Sequence, residues 1–326
     1  MYPFIFKPIL KEVIWGGTDI RPFKGLPSSS EPVGESWELS HVEGYVSVVA
    51  NGSLEGLTLD GLIDMYGARL TGEKVMQRFG RTFPLLIKFI DARDDLSVQV
   101  HPGDRLAWER HRSFGKTEMW YVVKAAPGAA LYSGFRRPVT AGEYERMVGE
   151  GSLMEALQRY EVRAGNVFFL PAGRIHAIGA GCFVAEIQQT SNITYRIYDY
   201  DRRDADGNRR ELHTDLAKAA IDYTFYPDCR TAYTPRPDET VPLVTCDYFT
   251  TRLLDISRPA VRDLAALDSF VAYICTEGQL TLCDEQRNEL TVHRGQTVLI
   301  PASTQSITLS PTPAAKLLET FCNRTE

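Results

Sequence analysis

The sequence predicts a mainly β protein, built from two antiparallel barrels or sandwiches with a small helical insertion. Three features predict this class. Short apolar segments alternate with glycine and proline turns over most of the chain, helical patterns are confined to a few excursions, and one strand–turn unit occurs twice. The length of 326 residues is enough for about two domains, which agrees with a pair of barrels.

The composition excludes several classes of protein. The net charge is −6 and the chain has no basic run, so we expect no nucleic-acid partner. No apolar stretch is long enough to span a bilayer, and residues 1–8 lack the pattern of a signal peptide, so we expect no membrane association. The six cysteines form no C-x-x-C pair, which is typical of reduced thiols and predicts a cytoplasmic protein.

The first ninety residues are predicted to contain a hairpin, a helix and a buried strand. Residues 34–40 alternate between polar and apolar side chains, and residues 45–49 are the expected hairpin partner. The apolar spacing becomes helical over 58–70, with Thr58 as the N-cap. The apolar run at 84–90 then predicts a buried strand.

The stretch 97–102 is predicted as a strand on which Gln99 and His101 share one face, because side chains alternate along a strand. An amide and an imidazole in this arrangement can hold a metal or hydrogen-bond a polar ligand. Taken alone, the pair is explained more simply by a solvated face or a histidine satisfied in the core. A short helix with a loop over 103–115 and a strand over 118–123 are predicted next.

Two capping-box patterns follow, at Thr140 and Ser152, and they predict two short helices within 140–160. One further amphipathic helix is predicted over 212–223. The rest of this half is predicted to be strands separated by glycine and proline turns, at 166–170, 182–189 and 193–199. The proline-rich segment 227–242 is the expected linker, and strand patterns without a convincing helix fill 243–326.

The repeated unit covers residues 165–176 and 295–306. Each copy has a glycine, a four-residue apolar strand, a Pro-Ala turn, and a last residue eleven positions after the glycine. The shared spacing predicts a duplication. Because that last residue is His176 in the first copy and Ser306 in the second, we predict that the second barrel has kept the fold and lost the ligand.

These motifs resemble those of a known family. The pattern Gly-x5-Pro-x-Gly-x2-His over 165–176 resembles the second cupin motif, and Gln99-x-His101 with Glu118 resembles a variant of the first. Four longer sequence segments extend the resemblance: Gln99-Val-His-Pro102, Gly115-Lys-Thr-Glu-Met-Trp120, Leu170-Pro-Ala-Gly-Arg-Ile-His176 and Glu186-Ile-Gln-Gln-Thr-Ser-Asn-Ile-Thr-Tyr-Arg196. Together they resemble the type I mannose-6-phosphate isomerases of the short bacterial form.

The resemblance implies both a fold and an activity. The fold would be two cupin (jelly-roll) domains with a small helical insertion near 58–70 and 140–160, the second cupin lacking metal ligands. The activity would be zinc-dependent interconversion of mannose 6-phosphate and fructose 6-phosphate through a cis-enediol(ate). The expected domains are a catalytic cupin over 1–210, a helix and linker over 211–240, and a degenerate cupin over 241–326.

The resemblance also implies roles for individual residues. Arg196 matches the catalytic arginine of the family, and Lys116 matches a lysine at the substrate pocket. The proton-transferring base is left open between Lys116 and a metal-bound hydroxide. One Zn²⁺ per chain would be held by Gln99, His101, Glu118 and His176. An amide oxygen, two imidazoles and a carboxylate independently suit zinc.

Structural roles are the alternative for each of these side chains. Glu118 would be a rim carboxylate paired with a lysine, and His176 would cap its own turn. Arg196 would form an ion pair with Asp199 or Asp201. Three tryptophans are expected either in the pocket or in the barrel core: Trp15, Trp37 and Trp120.

Two other functions compete with the isomerase. Two histidines and a carboxylate also describe a non-haem metal oxygenase of the same barrel class, although Gln99 argues against it. A non-catalytic sugar-phosphate-binding cupin is the second alternative, although such a protein has no need of Arg196 and Lys116. For the leading function we expect a phosphorylated hexose as substrate and a monomer or weak homodimer.

Overall fold

The computed structural model describes residues 1–203 and 206–322, and strands dominate both halves of the chain. None of the described helices is both long and apolar enough to cross a membrane. Strands of the first half are Phe4–Ile5, Ile9–Lys11, Glu35–Leu39, His41–Val42, Tyr45–Val46, Leu85–Ala92, Val98–Val100, Glu118–Ala125, Ala130–Phe135, Leu157–Glu161, Val167–Leu170, His176–Ile178, Cys182–Gln189 and Tyr195–Tyr198. Strands of the second half are Thr240–Thr245, Thr250–Ile256, Ala260–Asp263, Val271–Asp284, Glu289–His293, Thr297–Ile300 and Ser306–Phe321.

The helices are short and all lie in the first 220 residues of the described chain. The α-helices are Ile20–Phe23, Leu59–Tyr66, Ala68–Thr71, Glu73–Phe79, Asp104–His111, Ala141–Glu150 and Thr214–Ala220. Two 3-10 turns are Gly52–Leu54 and Leu153–Ala156. The predicted mainly β class with two cupins is confirmed.

The first barrel consists of two antiparallel sheets. In the six-stranded sheet, Cys182–Gln189 lies between Glu118–Ala125 and Leu85–Ala92. In the five-stranded sheet, His176–Ile178 pairs with Val98–Val100. Alternation along the strands, as in Glu118–Ala125, sends one set of side chains into the barrel interior and the other set outward. The inward apolar cluster includes Trp120, Val122, Leu131, Phe168 and Ile178.

Both outer faces of this barrel are covered. The six-stranded sheet packs against the helices of 59–79 and the second barrel, and their shared cluster includes Met119, Tyr121, Leu62, Phe270 and Leu318. The five-stranded sheet packs against the helices Ala141–Glu150 and Thr214–Ala220, in a cluster that includes Val98, Tyr144, Met147, Ala177 and Ala217. The second barrel therefore covers one face of the first.

The second barrel is one eight-stranded antiparallel sheet around its own apolar core. Most of its strands come from residues 240–321. The exception is Phe4–Ile5, which pairs with Thr297–Ile300, so that Phe4 lies opposite Leu299. The predicted domain boundaries stay a prediction, and this N-terminal strand crosses them.

Three predicted helix caps can be compared directly with the backbone. The Thr58 hydroxyl accepts a hydrogen bond from the Gly61 amide, as expected of an N-cap. The capping box at Thr140 is confirmed, but the one at Ser152 is wrong. Ser152 has φ −102° and ψ 9°, and its amide donates to Met147 at the end of the preceding helix. It therefore belongs to that helix end and precedes a 3-10 turn without a side-chain capping hydrogen bond.

The repeated unit begins with the same glycine conformation and the same strand in both barrels. Gly165 and Gly295 have φ of 86° and 82°, a left-handed conformation that glycine adopts without strain. The strands Val167–Leu170 and Thr297–Ile300 follow, and the next strand begins at His176 or Ser306. Side-chain direction then differs, because Ile307 and Leu309 pack in the second core while Ser306 does not. The first side chain of this strand that points into the second barrel is thus the apolar Ile307, one residue after Ser306. The absence of metal ligands there stays a prediction.

Candidate metal centre and active-site cavity

Three predicted ligands meet inside the first barrel. His101 directly follows strand Val98–Val100, while Glu118 and His176 are the first residues of their strands. Their ligand atoms all lie within 4.8 Å of one another, and the three side chains are at most 2 % exposed. The two oxygens of Glu118 lie 3.5 Å from His101 Nε2 and 3.4 Å from His176 Nε2. Such a group can hold a metal.

Backbone carbonyls orient both imidazoles. His101 Nδ1 donates to Ile193 O at 2.9 Å, and His176 Nδ1 donates to Arg174 O at 2.7 Å. Because a carbonyl only accepts, the proton sits on Nδ1, and each Nε2 presents a lone pair towards Glu118. Burial, with a contribution from the nearby ammonium group of Lys116, lowers the pKa of His101 well below its usual value and that of His176 to about 3. Both rings are neutral near pH 7, as metal ligands must be.

Gln99 lies beside this group. It is the cross-strand partner of His176, and its Nε2 is 3.2 Å from His176 Nε2. The oxygen and nitrogen of an amide exchange places by a half-turn about the last side-chain bond. That rotation would place Gln99 Oε1 beside the Nε2 lone pair of His176.

One oxygen of the Glu118 carboxylate lacks a hydrogen-bond donor among the described residues. This oxygen is Oε1, and the side chain is fully buried. Burial raises the pKa of Glu118 to about 7, and the opposing attraction of the Lys116 ammonium does not cancel this effect. A cation would supply the missing partner. Two imidazoles, a carboxylate and an amide oxygen therefore fit a zinc ion at this point.

Lys116 lies next to the ligand atoms. Its Nζ contacts Glu118 Oε2 and is 3.0 Å from His101 Nε2 and 4.0 Å from Glu186 Oε1. The lysine is only 4 % exposed, so the Glu118–Lys116 pair is buried inside the barrel instead of lying on its rim.

Sequence reasoning missed a second set of charges beside Lys116. Glu186 is buried, and its oxygens lie 3.0 Å from Lys88 Nζ and 3.0 Å from Trp120 Nε1. Burial alone would lower the pKa of Lys88, but Glu186 and Glu35 outweigh it and the pKa is raised. The available signal was an isolated lysine within the strand predicted as buried at 84–90, because a buried charge requires a partner.

Arg196 occupies the neighbouring wall. Its guanidinium donates from one Nη to Glu211 O at 3.0 Å, whereas no described residue accepts from its buried Nε. Asp199 instead binds Arg202 and Arg210. Burial and the like charge of Arg210 lower the pKa of Arg196. The structural ion pair considered for Arg196 is therefore absent from the described contacts, and its unpaired N–H group needs an acceptor.

A cavity of about 430 Å³ adjoins these groups. Its walls include Gln99, Lys116, Glu186, Arg196 and, from segments that the sequence did not single out for the site, Lys11, Glu35, Lys88, Arg210 and His213. Trp15 and Trp37 line the cavity, while Trp120 lies beneath Glu186 in the core. The volume and the excess of cationic side chains suit a small anionic ligand.

Comparison with known proteins assigns the family. The family described as phosphomannose isomerase type I, catalytic domain, matches residues 4–119, and the mannose-6-phosphate isomerase cupin domain matches residues 239–314. Mannose-6-phosphate isomerase ManA of Bacillus subtilis is 39% identical over 261 residues, which cover 79% of this chain and 81% of that protein. Mannose-6-phosphate isomerase of Streptococcus mutans is 33% identical over 305 residues, covering 93% and 94% of the two chains.

Solved structures agree with this assignment. The crystal structure of the Bacillus subtilis mannose 6-phosphate isomerase has a TM-score of 0.86 at 31% identity, over 98% of this chain and 99% of that one. A putative mannosephosphate isomerase from Archaeoglobus fulgidus shares the fold, with a TM-score of 0.80 at 22% identity, over 99% and 98% of the chains. The chain belongs to the type I phosphomannose isomerase family.

Proposed function

We propose that this isomerase interconverts mannose 6-phosphate and fructose 6-phosphate, using one zinc ion per chain. The observation that carries the proposal is the buried group of His101, Glu118 and His176. One oxygen of the Glu118 carboxylate has no hydrogen-bond donor among the described residues, and both histidines present a lone pair on Nε2. The group adjoins a cavity lined by an excess of cationic side chains. The names of the relatives support the substrate, and the cationic lining supports a phosphorylated sugar over an uncharged one.

The metal would be held by His101, Glu118 and His176, with Gln99 as the fourth ligand. When bound, zinc supplies Lewis-acid polarisation of the sugar oxygens at C1 and C2. The rings need no proton release to take this role, because burial keeps both histidines neutral.

Arg196 is proposed to bind the oxygen that becomes negative during enolisation. Its buried Nε–H has no acceptor among the described residues, so a substrate oxygen would satisfy it. A donor that is already fixed and desolvated stabilises developing charge without reorganising. In this role Arg196 stabilises the cis-enediol(ate) between the aldose and the ketose.

Lys116 Nζ, as the neutral amine that the charge of bound zinc would favour, is proposed to take the proton from C2 and return it to C1. It lines the cavity and lies within contact distance of Glu118 and His101, so it is close to the reacting carbons of any sugar bound there. Glu186, 4.0 Å away and bound to Lys88 and Trp120, would hold the lysine in place. Lys116→Met should then lower kcat by at least about 100-fold while zinc content is kept.

A cytoplasmic location is part of the proposal. The six cysteines all lie within the described residues and form no disulfide with one another, which supports a reducing compartment. The expected oligomeric state, a monomer or weak homodimer, stays a prediction.

The deciding experiment measures isomerisation of mannose 6-phosphate by the purified protein. Activity should disappear with a strong chelator and return with zinc in a 1:1 ratio. Protein that binds zinc but does not turn over the sugar phosphate would contradict the proposal and favour a binding function. Oxygen consumption with bound iron would favour the oxygenase.

A further inference from the structure

The segment 115–118 carries both Lys116 and Glu118, and one aspartate outside the metal group holds it. Asp104 Oδ1 accepts the Gly115 amide at 2.8 Å. The same oxygen accepts Gln189 Nε2 at 2.9 Å. The Oε1 atom of Gln189 in turn accepts the Thr117 amide at 2.8 Å. Asp104 and Gln189 therefore bind the backbone on both sides of Lys116.

Gly115 rests directly on the backbone that follows His101. A Cβ atom placed on Gly115 would lie 2.6 Å from the nitrogen of Asp104 and 2.7 Å from the carbonyl carbon of Gly103. The next amide, that of Lys116, donates to Pro102 O at 3.1 Å. Two segments that carry predicted ligands are thus in backbone contact, so a displacement of Asp104 would move both of them.

The second barrel binds the other oxygen of this aspartate. Tyr248 donates its hydroxyl to Asp104 Oδ2 at 2.8 Å, from the turn between Thr240–Thr245 and Thr250–Ile256. The Arg78 guanidinium lies 5.3 Å from the centre of the tyrosine ring. Burial and the bond to Asp104 raise the pKa of Tyr248, so the phenol stays a donor across the working pH range.

We propose that Tyr248 and Asp104 are positioning residues, through which the second barrel sets the place of Lys116 and Glu118. The charge of Asp104 is shared among a backbone amide, a side-chain amide and a phenol, and loss of any one of them loosens the other contacts. The second barrel then does more than shield an apolar face, because its turn completes the support of the site. The kinetic consequence rests on the proposed isomerase activity, whereas the structural consequence does not.

The test uses Tyr248→Phe in the full-length protein, because phenylalanine keeps the ring and removes only the hydroxyl. Amide hydrogen exchange of the peptide around 113–118 in metal-free protein should become about 5-fold faster. Zinc affinity, measured by competition with a chelating dye, should fall about 3- to 10-fold. In the zinc-loaded enzyme kcat should fall by the same factor, with KM within about twofold, since Tyr248 is not among the described residues that line the cavity.

Two further variants make the result specific. Asp104→Ala removes all three hydrogen bonds and should exceed the Tyr248→Phe effects on exchange and zinc affinity, to about 10- to 100-fold. Tyr233→Phe is the matched control, since Tyr233 is also a half-buried tyrosine outside the first barrel and donates to Gly165 O at 2.6 Å. It should leave the exchange of 113–118, zinc affinity and kcat unchanged.

Three outcomes would overturn the proposal. The first is unchanged exchange in Tyr248→Phe. The second is faster exchange with unchanged zinc affinity, and the third is an equal response in Tyr233→Phe, which would indicate general loosening. If the wild-type protein lacks isomerase activity, exchange and zinc affinity still decide this proposal separately from the proposed function.

Discussion

In each barrel a glutamate on a central strand stands between a cation and an aromatic hydrogen-bond donor. In the first barrel Glu186 lies opposite Lys88 on one neighbouring strand and opposite Trp120 on the other. The lysine is 3.0 Å from one glutamate oxygen, and the indole donates to the other at 3.0 Å. This set is called here the first ladder.

The second ladder has the same register in the second barrel. Glu319 lies opposite Arg252 on one neighbouring strand and Tyr273 on the other. The arginine is 3.4 Å from a glutamate oxygen, and the phenol donates at 2.7 Å. The likeness of the two barrels therefore extends to a buried polar network that lies outside the repeated sequence segments.

The two barrels differ in what completes each ladder. In the second, Arg262 makes two further hydrogen bonds to Glu319, both at 2.9 Å, and satisfies its charge. In the first, the site next to Glu186 holds Lys116 and a Glu118 oxygen that no described residue hydrogen-bonds. In the second barrel the Arg262 guanidinium neutralises the glutamate. In the first barrel the charged groups remain accessible to a metal and a substrate. The same scaffold thus gives a stable core or a reactive site.

The largest expected difference between the two barrels is in the effect of replacing the last residue of the repeated unit. His176→Ala should weaken zinc binding by at least about 100-fold and abolish isomerisation, because it removes a buried ligand. Ser306→Ala, at the matching sequence position, should leave both unchanged. Zinc content by atomic absorption and turnover of mannose 6-phosphate measure the two effects, and an active His176→Ala protein would refute the metal site.

Replacing each ladder glutamate should lower stability in both barrels but lower activity only in the first. Glu319→Gln leaves Arg262 without its carboxylate and should lower the free energy of unfolding by about 3 kcal/mol. The activity of the remaining folded protein should stay at the wild-type level. Glu186→Gln should destabilise by a similar amount and also lower kcat. Urea unfolding and kinetics on folded protein test this, and equal kinetic losses in both variants would remove the distinction between the barrels.

The pH dependence should come from one carboxyl group of the first barrel. Burial raises the pKa of Glu118 to about 7, while His101 and His176 stay neutral to far lower pH. As the pH falls from 7 to 5, only Glu118 takes up a proton that zinc must displace. Apparent zinc affinity should therefore fall about tenfold per pH unit.

Chelator competition across this pH range measures the slope. Glu118→Gln is the control, and it should bind zinc more weakly but with a flatter pH dependence. A slope of two or three decades per unit above pH 5 would mean that the histidines also bind protons, and that their rings are not held neutral.

The smallest expected effect is at the aromatic donor of the second ladder. Tyr273→Phe removes the hydroxyl that donates to Glu319, and should lower the free energy of unfolding by about 1–2 kcal/mol with no change in kcat. Thermal unfolding and kinetics measure it. Because Arg262 remains, the loss should be smaller than that of Glu319→Gln, and a larger loss would mean that the phenol is the main support of the glutamate.

Local pattern and the family resemblance together gave the four candidate ligands. Gln99 and His101 share a face because a strand alternates, and Gly165 marks the turn unit that leads to His176. Position-by-position resemblance placed Lys116 and Arg196, and the structure brings both to the cavity wall. The helix capped by Thr58 was also predicted from the sequence, although Gly67, at φ 51°, ends it earlier than expected. The helix Glu73–Phe79 was not predicted.

The sequence by itself determined the mainly β class and the repeated unit, because these depend on alternation and turn chemistry. Its resemblance to the family supplied the four candidate ligands. Only the tertiary structure decided which charges meet. Lys88 and Glu186 are 98 positions apart and become partners through strand register. The inward direction of Ile307, and the contact of Tyr248 with Asp104, also depend on pairing between distant segments. Such pairing is set by the packing of whole sheets, and no short stretch of sequence encodes it.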